Sequence, residues 1–376
     1  MHQSRPRRVT LREVAQRAGV SPTTASFVLA GRDDMRISAE ARARVRLAAA
    51  DLGYRPNLTA RSLRTKVTRT IALVSDTIAT QQYAGGMVYG SLAAALEEEH
   101  LLFVTETQGA AAVEERLVED LLGRQVDGFV YASMFTRRVT LPRALHGQPV
   151  VLLNCLSTGE EPLPTVLPDE RTGGRAAIDT LLGRGHRDGI VVLGEIPPGV
   201  YAARERVAGM EDALTAAGTG AAIDSVLECS WWPEPAYEAV RHTLRRGTLP
   251  RALVCLNDRI ALGAYQALQE AGVGVPDEVS VVSFDDSDLA GWLRPGLTSV
   301  ALPHQEMGRR AVLALLAVDR APAADLVPAV DRAPAVDRAP AADLVPAVDL
   351  VPMPVRERGS VAAPRPATAR VRRELG

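Results

Sequence analysis

The sequence predicts an all-α N-terminal domain followed by a larger α/β domain made of two doubly wound lobes. Three observations support this prediction. Helix-capping residues recur through residues 10–64, whereas after Thr70 short apolar, β-branched runs alternate with helical stretches of about 10–15 residues. The charge also changes sign, because residues 1–66 hold 14 Lys+Arg against 5 Asp+Glu and the remainder holds 29 against 40. At 376 residues, the chain is long enough for two or three separate cores.

Capping residues place the first two helices. Thr10 and Glu13 have the spacing of a capping box, in which each side chain satisfies a backbone N–H of the other's turn. Gly19 ends this helix, because glycine adopts the left-handed conformation without strain. Ser21 then caps a second helix with Pro22 at its first position, where no backbone N–H is needed. The spacing predicts two short helices joined by a tight turn.

A third helix is predicted over residues 39–52, with Ser38 as its cap and Gly53 at its end. Two short helices and a tight turn make a helix-turn-helix, although any small three-helix bundle can show the same pattern of capping residues. The strongly basic charge of residues 1–66, next to an acidic body, favours a nucleic-acid-binding module.

These residues carry a resemblance to a known family. The segment 9–30, followed by LGYRPN at 52–57 and ARSL at 60–63, resembles the LacI/GalR family of bacterial transcriptional regulators. The resemblance covers the whole N-terminal domain and extends through most of the body. It implies a cytoplasmic homodimer, associated with the nucleoid through DNA, that represses transcription by binding a palindromic double-stranded operator. The resemblance also implies that a small polar effector, a sugar, sets the affinity for the operator, either by releasing or by strengthening DNA binding. No cofactor, metal or membrane is implied.

The resemblance also implies which residues contact DNA. In the family, the second helix enters the major groove, and positions matching Pro22, Thr23 and Phe27 commonly read base edges. Proline and phenylalanine cannot make bidentate hydrogen bonds, so we expect apolar contact with thymine methyl groups; burial of Phe27 in the bundle is an equal alternative. Basic side chains such as Arg7, Arg8, Arg32 and Arg36 are expected to contact phosphates. The predicted DNA-binding residues are Thr10, Ser21, Pro22, Thr23, Thr24, Ser26, Phe27, Arg32, Asn57, Arg61 and Leu63.

Residues 57–65 are predicted to form a short hinge helix, which is marginal alone in water. In similar proteins this helix folds on the operator beside its twin from the second subunit. The residue matching Leu63 wedges between central base pairs from the minor groove and bends the DNA. The alternative for Leu63 is ordinary packing in a linker.

The body alternates strands and helices, a pattern typical of parallel sheets with helices on both faces. Two such lobes with a cleft between them form the periplasmic-binding-protein-like type I fold that the resemblance implies for an effector-binding and dimerisation domain. Ligands of these sheets bind at the carboxyl ends of the strands. The apolar runs are 71–74, 101–104, 128–131, 150–153, 190–193, 252–256, 279–284 and 297–300, and the helical stretches are 85–99, 113–123, 173–185, 202–217, 237–246 and 259–271.

Polar residues follow several predicted strands. Asn257 and Asp285 come directly after apolar runs, and Arg206 lies near the start of the helix after the run 190–193. These side chain types hold adjacent hydroxyl groups through paired contacts, and in the family the matching positions line a sugar or nucleobase site. Asp169 is expected to join them, although Glu170 replaces the asparagine that is common beside it. The predicted effector-binding residues are therefore Asp169, Arg206, Asn257 and Asp285, while Asp258 and Asp286 are predicted to cap helices.

Several aromatic residues, one histidine and the cysteines have alternative or structural roles. Tyr83, Trp231 and Trp232 either face a sugar or pack in the core or at the interface between the lobes, and His186 is expected to be structural. The cysteines Cys155, Cys229 and Cys255 are widely spaced, so buried thiols in a reducing compartment are expected.

Two other classes of protein share such a body, a secreted or periplasmic sugar-binding protein and a sugar-processing enzyme. The N-terminus lacks the apolar run of a signal peptide, no stretch approaches a membrane span, and a periplasmic sugar-binding protein would lack the basic N-terminal domain. Nucleotide-binding, serine-hydrolase, zinc-protease and CxxC motifs are missing from the sequence, so an enzyme is not expected.

A proline-rich repeat lies near the C-terminus. After a predicted helix at 303–316, residues 317–352 divide into six hexads of the type AVDRAP or AADLVP, and a strand is predicted at 350–356. Proline at every sixth position is incompatible with a continuous helix or a central strand. The predicted domains are 1–66, with the hinge helix at 57–65; 67–316 plus 347–362 for the effector domain; an insertion at 317–346; and a disordered basic tail at 363–376.

Overall fold

The computed structural model describes residues 9–31, 36–55, 67–80, 84–159, 162–197, 199–320 and 348–365. The chain divides into two compact units, residues 1–68 and residues 69–376. The hinge helix, with Asn57, Arg61 and Leu63, lies outside the described residues, as do Arg32, Tyr83 and residues 321–347 of the repeat. The predictions made for these segments stay predictions.

The described residues of the first unit form three short helices, α1 (Leu11–Ala18), α2 (Pro22–Leu29) and α3 (Ala39–Asp51). Both halves of the Thr10–Glu13 capping box are formed, and Gly19 has a φ of 64° at the end of α1. A small core of valine and alanine side chains holds the bundle together, with Val14, Val28 and Val45 among its most buried members. The predicted helix-turn-helix is confirmed.

The first lobe of the second unit is a six-stranded parallel sheet in the order β11-β5-β4-β3-β1-β2. Helices flank it, and one turn of 3-10 helix follows β3. Its strands are β1 (Thr70–Ser75), β2 (Leu101–Glu106), β3 (Gly128–Val139), β4 (Val150–Ser157), β5 (Thr165–Pro168) and β11 (Val348–Val351), and its helices are α4 (Gly85–Glu97), α5 (Ala111–Gly123) and α11 (His304–Arg320), with the 3-10 turn at Arg143–Leu145.

The second lobe repeats this architecture with the strand order β12-β10-β9-β8-β6-β7, and only its edge strand β12 is antiparallel to its neighbour. The strands are β6 (Ile190–Leu193), β7 (Ile223–Leu227), β8 (Ala252–Cys255), β9 (Ser280–Asp285), β10 (Thr298–Ala301) and β12 (Val355–Arg356). The helices are α6 (Glu170–Gly183), α7 (Tyr201–Ala217), α8 (Pro233–Arg245), α9 (Asp258–Glu270) and α10 (Asp288–Trp292). The two doubly wound lobes confirm the predicted fold class.

The described chain passes between the lobes at three points: from β5 to α6, from β10 to α11 and from β11 to β12. The third passage places one strand of the C-terminal segment in each sheet. Buried His186 fixes the end of this segment, because its Nε2 lies 3.0 Å from the carbonyl oxygen of Ala362 and 3.1 Å from Ser280 Oγ. Burial lowers the pKa of His186, consistent with the structural role predicted for it.

Two glycines allow the first two helices of the second lobe to pack closely against each other. Helices α6 and α7 cross at Gly174 and Gly209, where an added Cβ would overlap the carbonyl oxygens of Arg206 and Arg171 respectively. This crossing sets the position of Arg206 relative to the first turn of α6.

Several element boundaries differ from the sequence-based expectation. The strands β5 and β7 and the helix α10 were not predicted, and the predicted strand 350–356 is two short strands on different sheets. Helix α11 continues to Arg320, four residues into the repeat, because alanine, valine, aspartate and arginine are compatible with a helix until proline recurs. The free cysteines Cys155, Cys229 and Cys255 are all buried, as predicted. Within the part of the chain that is described, no helix is long and apolar enough to cross a membrane.

Candidate functional site

Helix α2 has one buried and one accessible face. Ala25 and Val28 pack in the core of the bundle, while Pro22 and Thr23 are exposed at the first turn. Phe27 is half-buried. The geometry leaves the beginning of α2 accessible, as a helix entering a DNA groove requires.

Other predicted DNA-contacting residues in this unit have local structural contacts. Thr10 Oγ1 accepts a hydrogen bond from the Glu13 backbone N–H at 3.3 Å, and Ser21 Oγ accepts one from the Thr24 backbone N–H at 3.0 Å. Ser26 is half-buried. Exposed caps at helix N-termini can serve both as caps and as phosphate contacts, because the remaining N–H groups there favour anions. Arg36 is exposed.

A cavity of about 50 Å³, here called the inner pocket, lies between the two lobes. Arg206, Asn257 and Asp285 line it from the second lobe, and Thr136 and Asn154 from the first. Three of the four predicted effector-binding residues are therefore brought together. The fourth, Asp169, is not in the lining of this pocket. Its carboxylate caps α6 by accepting the Thr172 N–H at 3.1 Å.

Glu170, which was not predicted to bind the effector, lines the pocket and forms a buried ion pair. Its carboxylate accepts two hydrogen bonds from Arg206, from Nε at 2.6 Å and from Nη2 at 3.0 Å. The side chains are each 2% exposed, and Arg206 also donates to the carbonyl oxygen of Leu256. Burial opposes the charged guanidinium, but the attraction of Glu170 outweighs it and raises the pKa of Arg206. The ion pair therefore fixes the planar guanidinium group of Arg206, with its N–H donors, beside the cavity.

Asp285 lies at the end of β9 in an unusual backbone conformation. Its φ is 106°, and Asp286 follows with a φ of 52°. Such conformations cost about 1–3 kcal/mol each and cluster at functional sites. Burial and the nearby Asp258 raise the pKa of Asp285 to about 8, against the opposing influence of Arg206. Near neutral pH, this carboxyl group is therefore largely protonated and can both donate and accept a hydrogen bond.

Asp258 and Asp286 are not helix caps, contrary to the prediction. Buried Asp258 accepts hydrogen bonds from the backbone N–H and hydroxyl of Ser287, both at 2.8 Å, and from the hydroxyl of Ser299 at 2.8 Å. Asp286 pairs with Arg358 at 2.6 Å. The cap of α9 is Asn257, whose Oδ1 accepts the Ile260 N–H at 2.7 Å. These contacts fix the turn after β9 and hold Asp285 at the cavity.

The first lobe contributes an irregular segment that the sequence did not reveal. The register between β3 and β4 shifts between Ala132 and Arg137, and Asp76 holds the shifted residues by accepting hydrogen bonds from Ser133 Oγ at 3.0 Å and the Met134 N–H at 2.9 Å. A bulge has no periodic signal in the sequence, so only the structure places Phe135 at the pocket.

Aromatic rings close the inner pocket across the cleft. Phe135 of the first lobe meets Trp231 of the second in an edge-to-face contact, with ring centroids 6.5 Å apart and an interplanar angle of 76°. Trp231 is half-buried and donates from Nε1 to the carbonyl oxygen of Glu195 at 3.1 Å. Trp232 is 56% exposed. The cleft therefore combines polar donors and acceptors with apolar ring surfaces.

A helix-turn-helix in the same chain as a two-lobed binding fold defines a ligand-controlled DNA-binding regulator. The model for bacterial regulatory proteins of the LacI family matches residues 10–57, and the model for periplasmic binding proteins and the sugar-binding domain of the LacI family matches residues 69–332. The chain belongs to the LacI family of bacterial transcriptional regulators.

Similar proteins include the transcriptional regulator CelR of Thermobifida fusca, 36% identical over 84% of this chain and 93% of that protein. The regulator AscG of Escherichia coli is 33% identical over 79% and 88%, and the ribose operon repressor of Haemophilus influenzae is 30% identical over 82% and 91%.

Solved structures share the fold. The Lac repressor dimer bound to operator and an anti-inducer covers 95% of this chain and all of that one, with a TM-score of 0.73 at 24% identity. A CelR–cellobiose complex covers 94% and 100%, with a TM-score of 0.61 at 29% identity.

Proposed function

We propose that this regulator is a homodimeric repressor that binds a near-palindromic operator and changes its operator affinity when a neutral sugar occupies the cleft. The observation that carries the proposal is the juxtaposition of Arg206, Asn257 and Asp285 around one cavity between two lobes. A guanidinium, an amide and a protonated carboxyl group provide several donors and acceptors, which suits a ligand with many hydroxyl groups. Relatives that are named for ribose or complexed with cellobiose support a sugar.

An exposed apolar stripe supports dimerisation through the first lobe. On α4, Tyr89, Leu92 and Leu96 are 64%, 44% and 78% exposed, and their spacing places them on one face of the helix. Leu101, at the start of β2, is 58% exposed. Contiguous apolar surface of this kind marks protein interfaces. A two-fold dimer would present two copies of α2 to two operator half-sites.

In this proposal, Pro22 and Thr23 contact base edges, and the basic N-terminal unit neutralises phosphates. The hinge residues Asn57, Arg61 and Leu63 contact the minor groove at the centre of the operator. The protein acts on chromosomal DNA in the cytoplasm and has no catalytic step; similar proteins are regulators. The charge of residues 1–66 favours this function over that of a periplasmic sugar carrier.

Two measurements on the full chain test the proposal. Fluorescence anisotropy compares a full palindrome, selected from random duplexes, with a single half-site at several salt concentrations. We expect much tighter binding to the palindrome and a steep fall in affinity with salt, because each neutralised phosphate releases counterions. Equal affinity for both duplexes would contradict the dimeric operator complex. A thermal-shift panel of neutral sugars then identifies the effector, since a ligand at about 100 times its Kd adds about 2.7 kcal/mol of stability.

A further inference from the structure

The turn after β9, which carries Asp285 to the inner pocket, is held by contacts from outside its own sequence. Asp285 and Asp286 have φ values of 106° and 52°, a region that residues other than glycine rarely adopt. Buried Asp258 accepts the Ser287 N–H at 2.8 Å, and the Asp286 N–H donates to Ser299 Oγ at 3.0 Å. A strained backbone persists only where its surroundings hold it, so the shape of this turn depends on these remote partners.

A further contact comes from the C-terminal segment, beyond the repeat. Arg358 Nη2 donates to Asp286 Oδ1 at 2.6 Å, and Arg358 Nη1 donates to the carbonyl oxygen of Leu297 at 2.9 Å. The planar guanidinium thus joins the turn after β9 to the residue before β10, and its fixed fork suits such a bridge. Arg356 also faces Asp286, but its Nε lies 3.8 Å from Oδ2 and its side chain is 62% exposed. Arg358 is therefore the cation that orients Asp286.

The backbone of Arg358 is itself fixed in the second lobe. Its N–H donates to Thr298 Oγ1 at 2.9 Å. Two residues later, the buried hydroxyl of Ser360 accepts the Thr298 N–H at 2.8 Å and donates to the carbonyl oxygen of Val281 at 2.6 Å. These contacts attach the segment to β9 and β10. The guanidinium therefore reaches Asp286 from a rigid base.

The same turn is connected to two of the passages between the lobes. At the passage from β10 to α11, the Leu302 N–H donates to the carbonyl oxygen of Asp285 at 3.2 Å. Arg358 follows β12, just after the passage from β11. The Ala301 N–H donates to the carbonyl oxygen of Pro354 at 2.8 Å, which joins these two passages to each other. A displacement of the turn by a ligand at Asp285 therefore reaches both passages through a continuous set of hydrogen bonds.

We propose that Arg358 is a positioning residue of the effector site, which holds the turn of Asp285 and Asp286 at the inner pocket and connects it to the passages between the lobes. Arg358 acts through Asp286 and is not in the lining of the inner pocket. Effector affinity therefore depends on a segment that the repeat separates from the rest of the body. The inference rests on the proposed effector response, but its first test needs no effector.

Hydrogen exchange of the ligand-free full chain, followed by mass spectrometry, measures how firmly the turn is held. We expect the backbone amides of Asp286 and Ser287 to exchange at least tenfold faster in Arg358→Met, which keeps an unbranched side chain and loses the fork. Arg358→Lys keeps the charge and should lie between this variant and the parent. Glu357→Gln is the matched control, because Glu357 lies on the same segment and pairs with Arg184 at 3.1 Å instead. Its turn should exchange as in the parent.

Sugar and operator titrations of the same variants separate positioning from stability. The probes are ribose, glucose and cellobiose. For a sugar that binds, we expect at least tenfold weaker affinity in Arg358→Met, and no further loss when Asp286→Asn is added, because both changes act on one contact. At a saturating concentration of that sugar, the fold-change in operator Kd should be at least threefold smaller in Arg358→Met than in the parent. A residue that contributed only to stability would leave this ratio unchanged.

Each contrary result has a distinct meaning. Unchanged exchange at the turn in Arg358→Met, or equal acceleration in Glu357→Gln, would overturn the positioning role. Additive effects of Asp286→Asn and Arg358→Met on sugar affinity would overturn the action of Arg358 through Asp286. An unchanged operator response at saturating sugar would overturn the connection to the passages between the lobes. If none of the three sugars binds the parent, the sugar effector of the proposed function is contradicted, while the exchange comparison still supports or overturns the role of Arg358 in the turn.

Discussion

Asp285 shows how much of the site depends on neighbours that are remote in the sequence. Its position after an apolar run predicted that it would face a ligand, and the structure places it at the cavity. Its φ of 106° and raised pKa were not predictable, because the pKa depends on burial in the folded protein and on the nearby Asp258, which Ser287 and Ser299 hold in place. The same limit explains why Glu170 lines the pocket although the sequence pointed to Asp169. Both residues follow β5, and only the crossing of α6 with α7 decides which carboxylate meets Arg206.

The raised pKa of Asp285 makes a prediction about stability. An aspartate with a pKa of about 8 in the folded state and 3.8 in the unfolded chain keeps its proton only in the folded state between those values. The unfolded state then binds fewer protons, so this group lowers the free energy of unfolding as pH rises from about 4 to about 8. We expect Asp285→Asn to lose less stability than the parent over pH 5–8, measured by urea unfolding. Identical pH dependence in both proteins would exclude this protonation state.

The Arg206–Glu170 pair makes a second prediction. Arg206→Ala leaves an unpartnered carboxylate in the core, and breaking such a pair costs about 3–5 kcal/mol. We expect Arg206→Ala to lower the free energy of unfolding strongly, as measured by urea unfolding, and to abolish the effector response as well. Replacement of both residues, as in Arg206→Met with Glu170→Leu, should recover stability without recovering the response.

Arg171→Ala is the control for this pair. Arg171 pairs with Asp212 on the exposed surface, where solvent screens the interaction, so little change in stability is expected. A similar effect of Arg206→Ala and Arg171→Ala would argue against a buried pair.

At the scale of elements, continuous apolar runs of four to six residues and long helical stretches were predicted well, because their patterns are those of buried strands and amphipathic helices. The missed elements lack these patterns. β5 has only Val166 and Leu167 between a threonine and a proline, and α10 has five residues. β7 reads IDSVL and is mostly exposed at the edge of its sheet, so polar residues interrupt its pattern. Contacts with the rest of the fold, rather than the local sequence, determine these three elements.

The glycine crossing of α6 and α7 makes a prediction at this scale. Alanine normally stabilises a helix relative to glycine, but a Cβ at Gly174 would overlap the backbone of α7. We expect Gly174→Ala to cost about 1–3 kcal/mol by overpacking and to weaken the effector response by displacing Arg206.

Gly183→Ala, at the end of the same helix, is the matched control. No atom lies within 4 Å of its added Cβ, so this substitution should be neutral or stabilising by up to about 1 kcal/mol. Differential scanning calorimetry compares the two variants. A Gly174→Ala protein as stable as Gly183→Ala would rule out the close crossing.

At the scale of the whole molecule, composition predicted the division into a basic N-terminal unit and a two-lobed body, and the repeat is predicted to be an insertion. The structure refines one limit of that insertion, since α11 continues through its first four residues. The composition of the repeat could not show where α11 ends. The first four residues of the repeat, AVDR, are as compatible with a helix as the residues that precede them.

Shortening the repeat tests this refined limit. Deletion of residues 323–346 removes four hexads and shortens the connection between α11 and β11 from 27 residues to three, which is about three halvings of its length. Because loop-closure entropy varies by about 0.6 kcal/mol per doubling of length, the free energy of unfolding should rise by no more than about 2 kcal/mol. Deletion of residues 317–346 also removes the last turn of α11, next to buried Leu315 and Leu316, and should be less stable. Equal stability of the two deletions would show that this turn contributes nothing. Operator and sugar affinities should remain those of the parent in the shorter deletion.

The passage of the chain from β11 in the first lobe to β12 in the second has a consequence for engineering. Residues 348–365 supply β11 to one sheet and β12 to the other, and they are joined to the rest of the chain only through the repeat. A break within residues 321–347 therefore yields a large fragment with two open sheet edges and a short peptide that completes both by strand addition. The protein thus contains a natural split point, at which bringing two fragments together would restore a transcriptional switch.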